Sequence, residues 1–263
     1  MKKTSKKPVR RIRRARYVTS KIGKTKAIES KQKLRQYVPI TKRMNQETLR
    51  EMLNQYKMVY IKPNVGMFGN GVIRVEQGNE GVEKPYSYQS GVRLRQFKTF
   101  DEMYASISRR TKKRNYLVQK GIHLLKYKGN RFDLRVMVQQ TPLQKWETTG
   151  VIGRVAHPKK VVTNFHNGGT LKPVETLLHK YLPASKRKDY VKKLHSLGTQ
   201  VAKAINARYK GVKEIGVDVA LDDKLHPWIL EVNTSPDPYI FRRLSDKRIF
   251  AKMRRYAKAY DRL

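Results

Sequence analysis

The chain has 263 residues, with 60 Lys and Arg against 20 Asp and Glu for a formal charge of +40, and it contains no cysteine. This length allows one sizeable domain or two small intimate ones with a real core. The lack of cysteine excludes disulfides, thiolate metal sites and a cysteine nucleophile. No run reaches the roughly 18 apolar residues that a membrane span requires, and the basic N-terminus leads into more charge rather than an apolar signal core. The chain is therefore expected to span no membrane and to be cytoplasmic. Its charge is large enough to gather polyanions.

In chain order, Met1 to Lys26 has no acid, and the segment 1–36 shows little apolar periodicity. It is expected to be a flexible basic arm, available to an anionic polymer. From Tyr37 the texture changes to bounded apolar runs. Leu49, Met52, Leu53 and Tyr56 predict a helix over Asn45–Tyr56, followed by a strand at Met58–Ile61. Thr99 and Glu102 form a capping box that opens a helix through Ser108. Strands are predicted over Tyr116–Gln119, Phe132–Gln139 and Val151–Ala156, and a long helix from about Ala184 to Tyr209 has an apolar stripe and a basic outer face. The last pair of strands is Glu214–Leu221 and Trp228–Asn233. Runs of strands with occasional helices point to α+β with mixed or antiparallel sheets.

Three segments could carry chemistry. Lys62 leads into a loop with Gly66, Gly69 and Gly71 between two strands. Such glycines let backbone amides approach a phosphate, although Asn70-Gly71 would also serve an ordinary hairpin. No Gly-Lys-Ser/Thr follows, so it is not a Walker A loop.

The closing strand pair is the second. Alternation puts Asp218 on one face with Gly216 and Ala220, and Glu231 on one face with Ile229 and Asn233. If the strands pair about Lys224 and Leu225, Asp218 lies opposite Glu231 with Asn233 one step beyond. Two carboxylates and an amide make the hard, incomplete oxygen set that suits Mg²⁺. The competing role is that of carboxylates meeting lysines on a basic surface.

The third is the strand in which Asp133 and Arg135 share a face opposite Phe132, Leu134, Val136 and Val138. An arginine fixed on a sheet can clamp a phosphate, or it can close an internal ion pair. Arg154, Asn164 and Gly168-Gly169 lie on a further polar stretch, where His166 fits a surface role better than that of a base or ligand.

In this order, Tyr37–Thr41, Val59–Pro63, the glycine loop, Tyr116–Ile122, Phe132–Arg135, Thr163-Asn164 with Gly168-Gly169, and Trp228–Pro236 resemble the ATP-grasp superfamily. Within it the segments resemble the YheC/YheD-like proteins associated with endospore coats. The resemblance implies an ATP-grasp fold over 37–263, with a glycine-loop subdomain (about 37–118) and a metal-binding subdomain (about 119–263) clasping a nucleotide. Lys62 and the loop through Gly66, Gly69 and Gly71 would hold ATP phosphates, and Gln119, Lys120 and Ile122 would contact adenine. Asp218, Glu231 and Asn233 would bind one or two Mg²⁺ ions. Arg135, Arg154 and Asn164 would serve catalysis. A second nucleotide lysine is expected from either Lys21 or Lys24.

The implied reaction is ATP-dependent ligation of a carboxylate to an amine through an acyl-phosphate. The resemblance also implies a place in the spore coat, with a coat protein among the partners. The alternative is a non-catalytic coat or polyanion-binding protein that keeps the fold. Two departures from the family pattern bear on the nucleotide: Met67-Phe68 stands where a small hydroxyl residue is usual, and Lys120 where an acid is common.

Overall fold

A computed structural model describes residues 16–66, 69–79, 81–111, 114–158 and 168–263. It contains two antiparallel sheets with helices packed on them, which is the expected α+β class. Asn164, His166 and Met67-Phe68 lie outside the described residues. Among the described residues no helix is long and apolar enough to cross a membrane.

The first sheet is formed by β1 (Thr41–Arg43), β2 (Met58–Pro63), β3 (Ile73–Gln77), β4 (Tyr86–Ser90), β5 (Arg93–Phe97) and β6 (Tyr116–Lys120), in the order β1-β6-β2-β3-β4-β5. Helices α3 (Gln46–Tyr56) and α4 (Phe100–Thr111) cover it. Both helices begin at the polar residues their sequences offer as caps. The Asn45 side chain accepts from the Thr48 amide at 2.7 Å, and Thr99 and Glu102 exchange bonds as a capping box. Their apolar stripes, Leu49, Met52 and Leu53 with Phe100, Met103 and Ile107, close a core against Val59, Ile61, Ile73 and Val75.

The second sheet runs β10 (Thr170–Lys172), β9 (Trp146–Val155), β8 (Asn130–Gln140), β11 (Glu214–Leu221) and β12 (Pro227–Asn233), with the short β7 (Lys126–Tyr127) also paired to β8. One face carries Phe132, Leu134, Val136, Val217 and Val219 into the main core. That core is closed by α1 (Lys21–Glu29), α2 (Gln32–Arg35), α5 (Val174–Leu178) and α6 (Ala184–Arg208). On the other face Met137 and Ile152 pack under a 3-10 turn (Tyr239–Arg243) and α7 (Lys247–Ala259).

The expected arm over 1–36 is corrected where the structure describes it. Residues 21–35 form α1 and α2, whose Ala27, Ile28 and Leu34 are buried in the larger core. Only three apolar residues carry this docking, and the other inward positions of α1 are lysines, so apolar periodicity does not reveal it. Tyr37 and Val38 also pack on the larger core, and Gln119 and Lys120 belong to the first sheet. The larger unit therefore takes the chain on both sides of the smaller one.

Candidate functional site

Where the sheets face each other they enclose a cavity of about 480 Å³. Its size suits a small organic ligand. The sequence-predicted residues Lys62, Gly66, Gly69, Gln119, Lys120 and Ile122 line the first-sheet side. Arg135, Arg154, Asp218, Glu231 and Asn233 line the other side.

The closing hairpin has the expected register: Asp218 pairs with Glu231, and Gly216 with Asn233. Beyond Asp218 the register shifts, and Val219 pairs with Ile229. Leu230 sits at this bulge, and its carbonyl accepts from Lys62 Nζ at 2.9 Å. Lys62 Nζ also donates to Gln119 Oε1 at 2.9 Å, so one lysine bridges both subdomains. Burial lowers its pKa to about 8, although Glu231 pulls in the opposite direction.

Of the two candidates for a second lysine, Lys21 is the one that faces the cavity. Its Nζ lies 3.0 Å from Glu231 Oε1 and 2.8 Å from the Gly66 carbonyl, and it lines the cavity. Lys24, one turn on, is buried and also lowered to about 8 by burial, but it is not among the lining residues. The start of α1 is fixed by Asn64, which accepts from the amides of Lys21 and Ile22.

Both arginines are held by carboxylates. Arg135 forks onto Asp218 at 2.6 and 3.2 Å, Arg154 forks onto Asp133 at 2.8 and 2.6 Å, and Arg154 also reaches Asp218 at 3.1 Å. The internal-pair alternative for this strand is thus present, with Asp133 serving Arg154 across the ladder. Burial by itself would raise the Asp218 carboxyl, but the two guanidiniums outweigh it and hold it at about 2. The Asn233 amide donates to Asp218 at 3.4 Å. A Cβ at Gly216 would lie 2.9 Å from both Arg135 Cδ and Pro236 Cβ, so glycine lets the arginine cross β11 beside Asp218.

The glycine loop earns its composition at two positions. Gly69 and Gly71 have φ of 73° and 77°, and a Cβ on Gly71 would come 2.9 Å from Tyr116 Oη. At the end of β6, Lys120 Nζ sits 5.2 Å from the centre of the Tyr56 ring and 5.3 Å from that of Trp228.

Among the described residues no cluster of three His, Cys, Asp or Glu forms a metal site. Asp218, Glu231 and Asn233 supply only two carboxylates and an amide. That fits a magnesium ion completed by phosphate and water, beside Lys21, Lys62, Arg135 and Arg154 as phosphate partners. Sequence reasoning did not identify Tyr60, the Pro236–Ile240 wall or Arg262 as lining residues. Their positions follow from chain path alone, although the Ser235-Pro236 stop after β12 marks where the wall begins.

Residues 15–262 match the family model described as YheC/D like ATP-grasp. The chain is 26% identical over 201 residues to the endospore coat-associated protein YheD of Bacillus subtilis (strain 168), covering 74% of this chain and 43% of that protein. It is 22% identical over 212 residues to endospore coat-associated protein YheC of the same organism, covering 80% of this chain and 57% of that one. The chain spans about half the length of these relatives. On the match across nearly its whole length, the chain belongs to the YheC/D-like ATP-grasp family.

Proposed function

We propose that this chain binds Mg-ATP between its two sheets and is an ATP-dependent carboxylate-amine ligase. One observation carries the proposal: Lys21, Lys62, Arg135 and Arg154, from four different elements, converge with Asp218, Glu231 and Asn233 at a single cavity. Lys21, Lys62 and the loop of Gly66 and Gly69 would hold phosphates, and Gln119, Lys120 and Ile122 the base. Asp218, Glu231 and Asn233 would hold one or two Mg²⁺ ions. ATP as substrate would give a phosphoryl group to a carboxylate oxygen with release of ADP, bound Mg²⁺ would supply charge neutralisation at its phosphates, and an amine would then form the C–N bond as phosphate and a proton leave.

The chain's own residues position and neutralise charge. Arg135 and Arg154 are oriented by Asp133 and Asp218 before any ligand arrives, so their forks need little reorganisation. Lys62 gains the most from an arriving anion, because burial has made its charge costly. Asn164 is proposed as a further substrate contact by family resemblance. The names of the relatives support a role in the endospore coat.

Calorimetric titration of ATP with and without Mg²⁺, on the native chain and on Asp218→Asn and Glu231→Gln, tests the site. Magnesium-dependent binding that is lost in both variants supports it. Absence of nucleotide binding in the native chain refutes it and leaves the non-catalytic coat or polyanion-binding alternative.

A further inference from the structure

The last helix carries charge for which the nucleotide site has no use. Between Lys247 and Tyr260 there is no carboxylate. Lys247, Arg248, Arg254, Arg255 and Lys258 are all exposed. At about 100° per residue they occupy one continuous face roughly 120° wide. The buried residues Met253, Tyr256 and Ala257 lie on the opposite side. Arg248 is paired with Asp246 and Lys252 with Glu147, but among the described residues no salt bridge reaches the other four cations of the face. Arg254 and Lys258, one turn apart, repel each other.

This helix joins two segments that line the cavity. Tyr239 and Ile240 line the cavity just before α7, and Arg262 and Leu263 line it just after. Tyr239 is 51% exposed, and its ring lies 5.7 Å from that of Phe250 on α7. Arg242 sits 5.9 Å above the same Phe250 ring, and Arg243 beside it is exposed. A cationic track thus leads outward from an aromatic edge of the site. The basic face of α6 differs: Asp189 lies within it, paired with Lys192, and, unlike α7, α6 is not flanked by segments that line the cavity.

We propose that the carboxylate taken by the site belongs to an acidic polypeptide that lies along α7 and enters the cavity past Tyr239. This proposal rests on the ligase function proposed above and names its substrate class. The 13 residues of α7 span about 20 Å, the length of about six residues of extended chain. One strand of a Glu- or Asp-rich polypeptide can therefore neutralise the face while presenting a carboxylate at its end.

Fluorescein-labelled decaglutamate, followed by anisotropy with the full chain at about 100 mM salt, provides the test. Arg254→Glu/Arg255→Glu/Lys258→Glu should raise its Kd at least tenfold. The matched Lys186→Glu/Lys188→Glu/Lys193→Glu on α6 should raise it less than threefold. Decaglutamate should also raise ADP release from Mg-ATP at least tenfold in the native chain but not in the α7 variant. Equal losses in the two variants would reduce the effect to overall charge and overturn the proposal. So would tighter binding of an equally charged single-stranded oligonucleotide that displaces the peptide, which would assign the face to nucleic acid. Mg-ATP binding without peptide binding overturns the docking proposal alone. Peptide binding without Mg-ATP binding overturns the ligase function, and the acceptor role with it.

Discussion

The phosphate-binding role proposed for Lys62 would link nucleotide affinity to pH in a way that can be worked out from its surroundings. Its ammonium is buried, held among the described residues by Gln119 and the Leu230 carbonyl, and burial lowers its pKa to about 8 from an ordinary value of 10.5. The free protein then keeps about 90% of this charge at pH 7 and about 10% at pH 9. A bound phosphate restores the charge, so affinity for Mg-ATP should fall about tenfold between pH 7 and 9, with uptake of close to one proton per nucleotide at pH 9. Calorimetry in buffers of different ionisation heat reads both quantities. Lys62→Arg, charged throughout, should flatten the profile, whereas Lys24→Met should not, because Lys24 does not line the cavity.

Stability moves the opposite way. A folded pKa below the unfolded one penalises the charged folded state at pH below 8, and the penalty is relieved as pH rises from 8 to 10.5. The free protein should gain about 3 kcal/mol from Lys62 over that range. An affinity independent of pH from 7 to 9, or proton release on binding, would refute a buried Lys62 that meets phosphate.

Other consequences follow from the same geometry. Lys21→Met removes the contacts to Glu231 and the Gly66 carbonyl and should weaken Mg-ATP about tenfold or more by calorimetry, with a smaller effect from Lys24→Met. Asp218→Asn leaves Arg135 and Arg154 without their shared charge and should cost about 3 kcal/mol of stability. Glu231→Gln, at a more open position, should lower Tm much less while abolishing the magnesium dependence of binding. Gly71→Ala meets both a positive φ and the Tyr116 hydroxyl and should destabilise by about 1–3 kcal/mol in denaturant titration. Tyr116→Phe should recover only part of that loss, since it relieves the contact but not the backbone.

Much of the architecture was legible in the residue order. The stripes of α3, α4 and α6 and the alternation of β8 and β11 are local signals that tertiary packing reinforced, whereas in β12 the bulge at Leu230 turns Ile229 into the core and away from the face of Glu231 and Asn233 that simple alternation gave it. The pairing of Asp218 with Glu231 could be anticipated because a short connection leaves a hairpin few registers. The β4–β5 hairpin was not anticipated: β5 is largely exposed, so its sequence carries no inward-facing pattern. α7 was missed for a related reason, its few buried residues being diluted among Lys and Arg.

By itself, then, the sequence determined the class of fold, the order of its motifs and the face on which the oxygen donors stand, because helix and strand periods act over a few residues. Only the tertiary structure decided the partners. Lys21 rather than Lys24 reaches Glu231, Asp133 serves Arg154 across the ladder, and the segments on either side of α7 line the cavity. These choices depend on where distant segments cross, and in a chain with 60 basic residues charge alone cannot say which cation meets which acid.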